Sequence, residues 1–157
     1  MTDHGKETLI RLEGCRLAMY RDSAGLWSIG VGHLLTKDEL FSGRIRTGAS
    51  VFDYRQGLTR EQAMLLMEQD LIPASFAVMR AVEVPLTPPQ CDALTLFAFN
   101  IGGAAFRNST LVKKLNRGDI ASVPSEMRRW IYAAGVKVTG LIYRREAEIQ
   151  VWNATTI

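Results

Sequence analysis

The chain is poor in the residues that crosslink small proteins or bind metals. It has two cysteines, Cys15 and Cys91, and two histidines, His4 and His33, among its 157 residues. The cysteines lie in apolar sequence without the spacing of a metal knot or a redox motif, which predicts buried thiols rather than a disulfide or a nucleophile. Because the histidines are few and far apart in sequence, we expect neither a metal nor a cofactor.

Long apolar runs are missing from the N-terminal segment. The stretch MTDHGKETLIRLEG has no apolar run of signal-peptide length and no small-residue cleavage pattern. This composition is that of neither a signal peptide nor a membrane-spanning helix. The sequence therefore predicts a cytoplasmic product with no transmembrane anchor.

Apolar residues are abundant elsewhere, and the charge is mildly positive. With 47% hydrophobic residues, the chain can form one domain with a sizeable core and room for two lobes. Lys and Arg number 19 against 16 acidic residues, which gives a net charge of +3. A positive excess favours an anionic polymer, such as a cell-wall glycan, outer-membrane lipopolysaccharide or nucleic acid. Since no helix-turn-helix pattern with basic groove residues is evident, we expect no nucleic-acid partner.

Residues 13–33, EGCRLAMYRDSAGLWSIGVGH, contain the densest group of side chains suited to catalysis. Glu13 ends an apolar-periodic segment that predicts a helix over 5–13. The run from Asp22 through Ser23 and Ala24 to Gly25 predicts a chain reversal that begins a hairpin. In the returning strand, 26–32, alternation predicts a core face of Trp27, Ile29 and Val31 and an almost bare face of Ser28, Gly30 and Gly32.

Two carboxylates beside a strand face of small residues match what glycoside hydrolysis requires. Glycine in a strand often marks close approach of a ligand. One protonated carboxyl can donate to the leaving oxygen, while an ionised carboxylate stabilises positive charge or activates water. We assign these roles to Glu13 and Asp22, with Ser28 orienting the water. Each residue also has a structural explanation, namely a local pair, a turn and a small strand residue, and only their clustering favours catalysis.

The spacing of this segment resembles a known family. In this segment Glu13 is followed after eight residues by Asp22, after five more by Ser28, and then directly by Ile-Gly-x-Gly-His ending at His33. This spacing matches the motif of the phage-type lysozymes, the endolysins of tailed bacteriophages. The family has Thr where this chain has Ser28. Serine keeps the hydroxyl but has a less restricted rotamer, so we expect weaker positioning of water rather than lost activity.

Two later segments extend the resemblance to about residues 8–153. They are residues 90–102, QCDALTLFAFNIG, and residues 140–148, GLIYRREAE. The resemblance implies substrate contacts by Gly30, Gly32, His33, Gln90, Asn100 and Arg145. It also implies that an arginine of the last segment approaches Glu13, with Arg145 as the closer match and Arg144 as the second. A helix C-terminal cap for Asn100, and a surface ion pair of Arg145 with Glu146 or Glu148, remain alternatives.

His33 is more typical of a structural histidine that pairs with a buried carboxylate than of a catalyst. Asp70 is our candidate partner, because it is an isolated acid beside apolar residues. A second basic feature is the predicted short helix LVKKLNR, whose Lys113, Lys114 and Arg117 form a candidate face for lipopolysaccharide, although most such faces are simply solvated.

Helix-start signals outline the rest of the chain. Thr59 and Thr87 each precede a glutamine at the third helical position, which predicts capping boxes. Pro73 predicts a bend or a break in the first of these helices near residue 72. The second helix is apolar almost all round, so it should be the central buried helix. Pro124 predicts another helix, running to Ala134 and closed by glycine.

The resemblance implies an α+β, predominantly helical fold with two lobes, as in lysozymes. We expect a single catalytic domain over 1–157, with a small hairpin lobe at about 13–58, a connecting helix at about 59–80 and a larger helical lobe at about 81–153 together with the first helix. The implied protein is a monomer.

The resemblance also implies the activity: hydrolysis, with inversion, of the β-1,4 bond between N-acetylmuramic acid and N-acetylglucosamine in peptidoglycan glycan strands. The enzyme would wait in the host cytoplasm and reach the periplasm or cell wall through a holin lesion, with carriage on the virion left open. Two alternatives are a lytic transglycosylase, which needs no second carboxylate, and a non-catalytic cell-wall-binding module.

Overall fold

A computed structural model describes residues 1–22 and 24–155, so Ser23 of the predicted turn lies outside the described residues. The α-helices are α1 Asp3–Glu13, α2 Lys37–Ser42, α3 Arg60–Ala81, α4 Pro88–Ile101, α5 Gly103–Asn108, α6 Thr110–Leu115, α7 Val123–Met127 and α8 Thr139–Trp152, with a 3-10 turn at Ile120–Ser122. The strands are β1 Arg16–Arg21, β2 Trp27–Gly30, β3 His33–Leu34, β4 Arg44–Thr47, β5 Ser50–Asp53, β6 Tyr132–Ala133 and β7 Val136–Lys137.

The fold is α+β and predominantly helical, which confirms the predicted class. The strands form small antiparallel sheets in the orders β1-β2-β3, β4-β5 and β6-β7. The chain divides into two compact units, one of Leu9–Ile72 and the other of Met1–Thr8 with the chain from Pro73 onward. The lobe boundaries expected from the sequence stay a prediction.

The core of the Leu9–Ile72 unit lies where its two sheets meet α3. Ile29 of β2, Ile45 of β4 and Leu66 of α3 are all fully buried in one cluster. Burying a large aliphatic side chain contributes about 1.5–3 kcal/mol each. This packing fixes the sheet β1-β2-β3 on the helix and so supports the hairpin that carries the candidate site.

Helix α3 starts as predicted but does not break. The Gln62 N–H donates to Thr59 Oγ1 at 3.2 Å, and the Thr59 N–H donates to Gln62 Oε1 at 2.9 Å, which confirms the capping box. The helix then runs through Pro73 to Ala81, so a break near residue 72 is wrong, while the alternative of a bend there stays a prediction. A proline removes one helical hydrogen bond, and the buried neighbours Leu71 and Ala74 hold the helix in place.

Helix α4 is the buried helix that the sequence predicted. A capping box joins Thr87 and Gln90, and all residues from Asp92 to Ala98 are buried. The prediction of buried cysteines is wrong, because Cys91 is exposed and Cys15 is only half-buried. Cys91 lies in the first turn of α4, before the buried stretch begins. Both thiols are free.

The region after Pro124 differs most from expectation. Helix α7 ends at Met127, so the predicted helix to Ala134 is wrong, and β6 and β7 form a hairpin instead. Ala134 and Gly135 both have positive φ, 49° and 77°. Positive φ at two consecutive residues is typical of the tight turns that close hairpins. Gly135 therefore belongs to a turn between strands rather than to the end of a helix.

Candidate active site

Asp22 lies at the end of β1, and its own loop holds its carboxylate in place. Asp22 Oδ1 accepts hydrogen bonds from the N–H groups of Ala24 at 2.9 Å and Leu26 at 2.8 Å. The chain reverses here, as predicted, because the Asp22 N–H also donates to the Leu26 carbonyl at 2.9 Å. The two bonds orient a half-buried carboxylate at the tip of the β1-β2 hairpin.

Strand β2 is shorter than expected, and its small-residue face is not bare. It ends at Gly30, where the chain turns because Gly30 and Gly32 take φ values of 65° and 73°. Ser28 is only 3% exposed, and a Cβ placed on Gly30 would lie 3.7 Å from Leu66 Cδ2. Ser28 and Gly30 are therefore covered, with Gly30 packed on α3. The expectation of an open strand face over 26–32 is wrong, since two glycines with positive φ end the alternation.

Glu13 lies against the turn between β2 and β3. It is the last residue of α1, and it is half-buried. A Cβ placed on Gly32 would lie only 3.0 Å from Glu13 Oε2 and 3.3 Å from Glu13 Cδ. Any other residue at position 32 would therefore push the Glu13 carboxylate out of its present position. The structure brings Glu13 and Asp22 to the two successive turns of one three-stranded sheet.

His33 is held between two carboxylates. Its Nδ1 lies 2.9 Å from Asp70 Oδ2, which confirms the predicted pairing, and its Nε2 lies 3.2 Å from Glu39 Oε2. The imidazole is only 11% exposed. Burial lowers the pKa of His33, whereas the hydrogen bond and charge of Asp70, and then of Glu39, raise it by more, so the pKa lies above its ordinary value.

Sequence reasoning missed Glu39, although the signal was present. Thr36-Lys37-Asp38-Glu39 has the spacing of a capping box, and the structure shows this box at the start of α2. Glu39 lies six residues beyond His33, and from the first turn of α2 its side chain reaches the imidazole.

Gln90 and Asn100, which the family resemblance places at a substrate cleft, both have partners within their own unit. Gln90 Oε1 accepts from the Thr87 N–H at 3.0 Å and so completes the cap of α4. Asn100 is exposed, and its Oδ1 accepts a hydrogen bond from Arg145 Nη2. The residue that caps the C-terminus of α4 is Gly102, so the alternative role of Asn100 as a helix cap is wrong.

Arg145 is a buried cation rather than a surface residue. Its side chain is 0% exposed, with Nε 3.2 Å from Glu148 Oε2 and the guanidinium 4.8 Å from the centre of the Phe97 ring. Burial lowers the pKa of Arg145 to about 10, against the opposing charge of Glu148. The alternative pairing of Arg145 with Glu148 is therefore found, but the pair is buried and not on the surface. The contact of Arg145 with substrate stays a prediction, and so does the approach of Arg145 to Glu13.

In the candidate lipopolysaccharide face, Lys114 Nζ lies 2.7 Å from Glu126 Oε1, so part of that face is an ion pair. Within residues 1–22 and 24–155, no group of three or more His, Cys, Asp or Glu side chains could hold a metal ion. No helix in the same residues has both the length and the apolar character needed to cross a membrane.

The fold and the carboxylate-bearing hairpin define a lysozyme-type protein, and comparisons with known proteins agree. A family model described as Phage lysozyme matches residues 10–148. The chain is 42% identical over 148 residues to the SAR-endolysin of Escherichia phage Mu, covering 94% of this chain and 78% of that protein. The chain belongs to the phage lysozyme family.

Solved structures give the same result. A mutant of P22 lysozyme superposes with a TM-score of 0.80 at 32% identity, over 98% of both chains. The muramidase domain of SpmX from Asticaccaulis excentricus gives a TM-score of 0.78 at 32% identity, over 98% of this chain and 97% of that one. The likeness therefore extends over almost the whole fold.

Proposed function

We propose that this chain is an endolysin that lyses its host by hydrolysing the β-1,4 bond between N-acetylmuramic acid and N-acetylglucosamine in peptidoglycan. Membership of the phage lysozyme family supports a lysozyme-type hydrolase. The single observation that carries the assignment of the site is that Asp22 lies in one turn of a small sheet and Glu13, from the end of α1, lies against the next turn of the same sheet. Glu13 lies against Gly32, and Asp22 is oriented by two backbone N–H groups.

In the proposed reaction, Glu13 gives its proton to the glycosidic oxygen as the bond to the anomeric carbon breaks. Asp22 stabilises the positive charge that develops on the sugar ring, and it accepts a proton from the attacking water. The water oxygen bonds to the anomeric carbon, so the products are a reducing sugar and a free alcohol. Ser28 helps to position the water, and the family resemblance supports inversion.

We further propose which residues contact the glycan. Gly32 and Asn100 are the glycan-contacting positions that we favour. Asn100 is exposed, whereas Gly30 is packed on α3, Gln90 completes the cap of α4 and Arg145 is fully buried. His33 contributes by supporting the turn.

We also propose the organisation and location of the enzyme. The lobe boundaries would lie at about residues 58 and 81, and the monomeric enzyme would pass from the host cytoplasm to the periplasm or cell wall. Lipopolysaccharide remains a second candidate partner.

The first experiment replaces the proposed general acid. Glu13→Gln keeps the size of the side chain but removes the proton that it can donate. We expect it to abolish release of reducing ends from purified peptidoglycan while circular dichroism and unfolding temperature stay near those of wild type. Glu7→Gln, which neutralises an exposed acid on the same helix, should keep full activity. Activity of Glu13→Gln at even a tenth of wild type would remove Glu13 from this role.

A further inference from the structure

The Glu39 carboxylate does more than cap a helix. Its Oε2 accepts from the Thr36 N–H at 2.8 Å and from Thr36 Oγ1 at 2.9 Å, and it also lies 3.2 Å from His33 Nε2. A capping box needs only Glu or Gln at this position. The additional contact with His33 pairs a charge with an imidazole, and a glutamine could not supply that charge.

His33 joins three elements at the turn that Glu13 touches. The residue lies in β3 and is paired across the sheet with Ile29, while its ring contacts α2 through Glu39 and α3 through Asp70. It directly follows Gly32, whose Cα faces the Glu13 carboxylate. Any movement of the His33 backbone therefore moves the surface on which Glu13 rests.

We propose that Glu39 is a positioning residue for catalysis: through His33 it holds the Val31–Gly32 turn in the place that the Glu13 carboxylate needs. The inference rests on the proposed function, because Glu13 is the general acid there. Two carboxylates that contact opposite nitrogens of one largely buried imidazole fix both the position and the orientation of the ring. Glu39 itself contacts neither substrate nor reacting atoms.

The Asp70 and Glu39 carboxylates on the two nitrogens of His33, called the clamp below, act together within a defined range of pH. The charged groups that face His33 are Asp70 from α3 and Glu39 from α2. Because the pKa of His33 is raised in the folded protein, the contribution of its charge is complete below the ordinary histidine pKa and is lost as pH rises through the raised pKa. Burial raises the pKa of Glu39, but its bonds to Thr36 and His33 lower it by more, so its contribution is lost when pH falls through that lowered pKa.

Glu39→Gln separates the two roles of the residue. Glutamine can still complete the capping box with Thr36, but it carries no charge for His33. Asp38→Asn is the matched control, because it removes the same charge from the preceding, exposed residue. We expect Glu39→Gln to lower kcat on peptidoglycan about tenfold with KM nearly unchanged, since a small misplacement of a catalytic group is costly. Asp38→Asn should match wild type.

An NMR titration of the imidazole reports the clamp independently of activity. The chain has two histidines, so His4 serves as an internal reference. Glu39→Gln should lower the pKa of His33, whereas Asp38→Asn should leave the pKa of His33 unchanged. This readout distinguishes positioning through His33 from a general loss of stability.

Two results would overturn the proposal. One is a kcat for Glu39→Gln equal to that of Asp38→Asn, and the other is a loss of activity that matches a loss of folded protein at the assay temperature. Failure of the proposed function would look different, because wild-type protein itself would then release no reducing ends. In that case an unshifted His33 pKa in Glu39→Gln would still contradict the proposed action of Glu39 on His33.

Discussion

At the scale of single residues, Gly32 sets the place of the proposed general acid. Its φ of 73° suits glycine, and a Cβ there would lie 3.0 Å from Glu13 Oε2. An alanine at this position therefore carries two costs, namely backbone strain of about 1–2 kcal/mol and displacement of the Glu13 carboxylate.

We therefore predict that Gly32→Ala loses at least tenfold in kcat, beyond what its loss of stability explains. The control is Gly118→Ala, which has a similar φ of 86° but no atom within 4 Å of the added Cβ. It should show the strain in its unfolding temperature and keep its activity per folded molecule. Equal activity of the two variants would mean that the contact between Gly32 and Glu13 does not matter for catalysis.

Individual residues were predictable where a local motif or an isolated charge signalled them. The isolated acid Asp70 was predicted as the partner of His33, and the structure confirms it. Glu39 was not predicted as the second partner, because a contact between a helix cap and a strand depends on the tertiary fold. The burial of Arg145 was missed for the same reason, since arginine in a sequence signals exposure unless its partners in space are known.

At the scale of elements, α3 contains a proline that the helix tolerates. Pro73 is exposed and sits inside a continuous 22-residue helix. Because proline has no N–H, the helical bond to the carbonyl four residues earlier is absent. The packing around α3 offsets the destabilisation, but the hydrogen bond itself stays absent.

We predict that Pro73→Ala raises the free energy of unfolding by about 1–3 kcal/mol, since it restores that bond without removing a buried contact. Urea unfolding monitored by circular dichroism measures the change. Pro88→Ala is the control, because Pro88 occupies the first position of α4, where no helical N–H bond is lost; that variant should gain nothing. A destabilised Pro73→Ala would show that the proline ring supports the helix in another way.

Helix starts were more predictable than helix ends. The boxes at Thr59 and Thr87 are signalled by residues three positions apart, so short-range chemistry determines them. The end of α7 at Met127 and the β6-β7 hairpin have weaker local signals. Gly135 suits a helix terminus and a hairpin turn equally, and only the positive φ of Ala134 in the folded chain distinguishes the two.

At the scale of the whole molecule, the charge suits an anionic cell wall but does not identify the reaction. A net charge of +3 favours association with polyanions whether or not a bond is cut. The α+β fold and family were predictable because three separated motifs resembled phage lysozymes. Hydrolysis itself depends on two carboxylates acting at one glycosidic bond.

The most direct test of this account is mass spectrometry of the soluble glycan fragments released from purified peptidoglycan by the wild-type protein. We predict fragments that end in reducing N-acetylmuramic acid, one water heavier than the anhydro form, and no such fragments with Glu13→Gln. Fragments that end only in anhydro-muramic acid would contradict hydrolysis and indicate a lytic transglycosylase, while binding without any release would indicate a module that does not cut the wall.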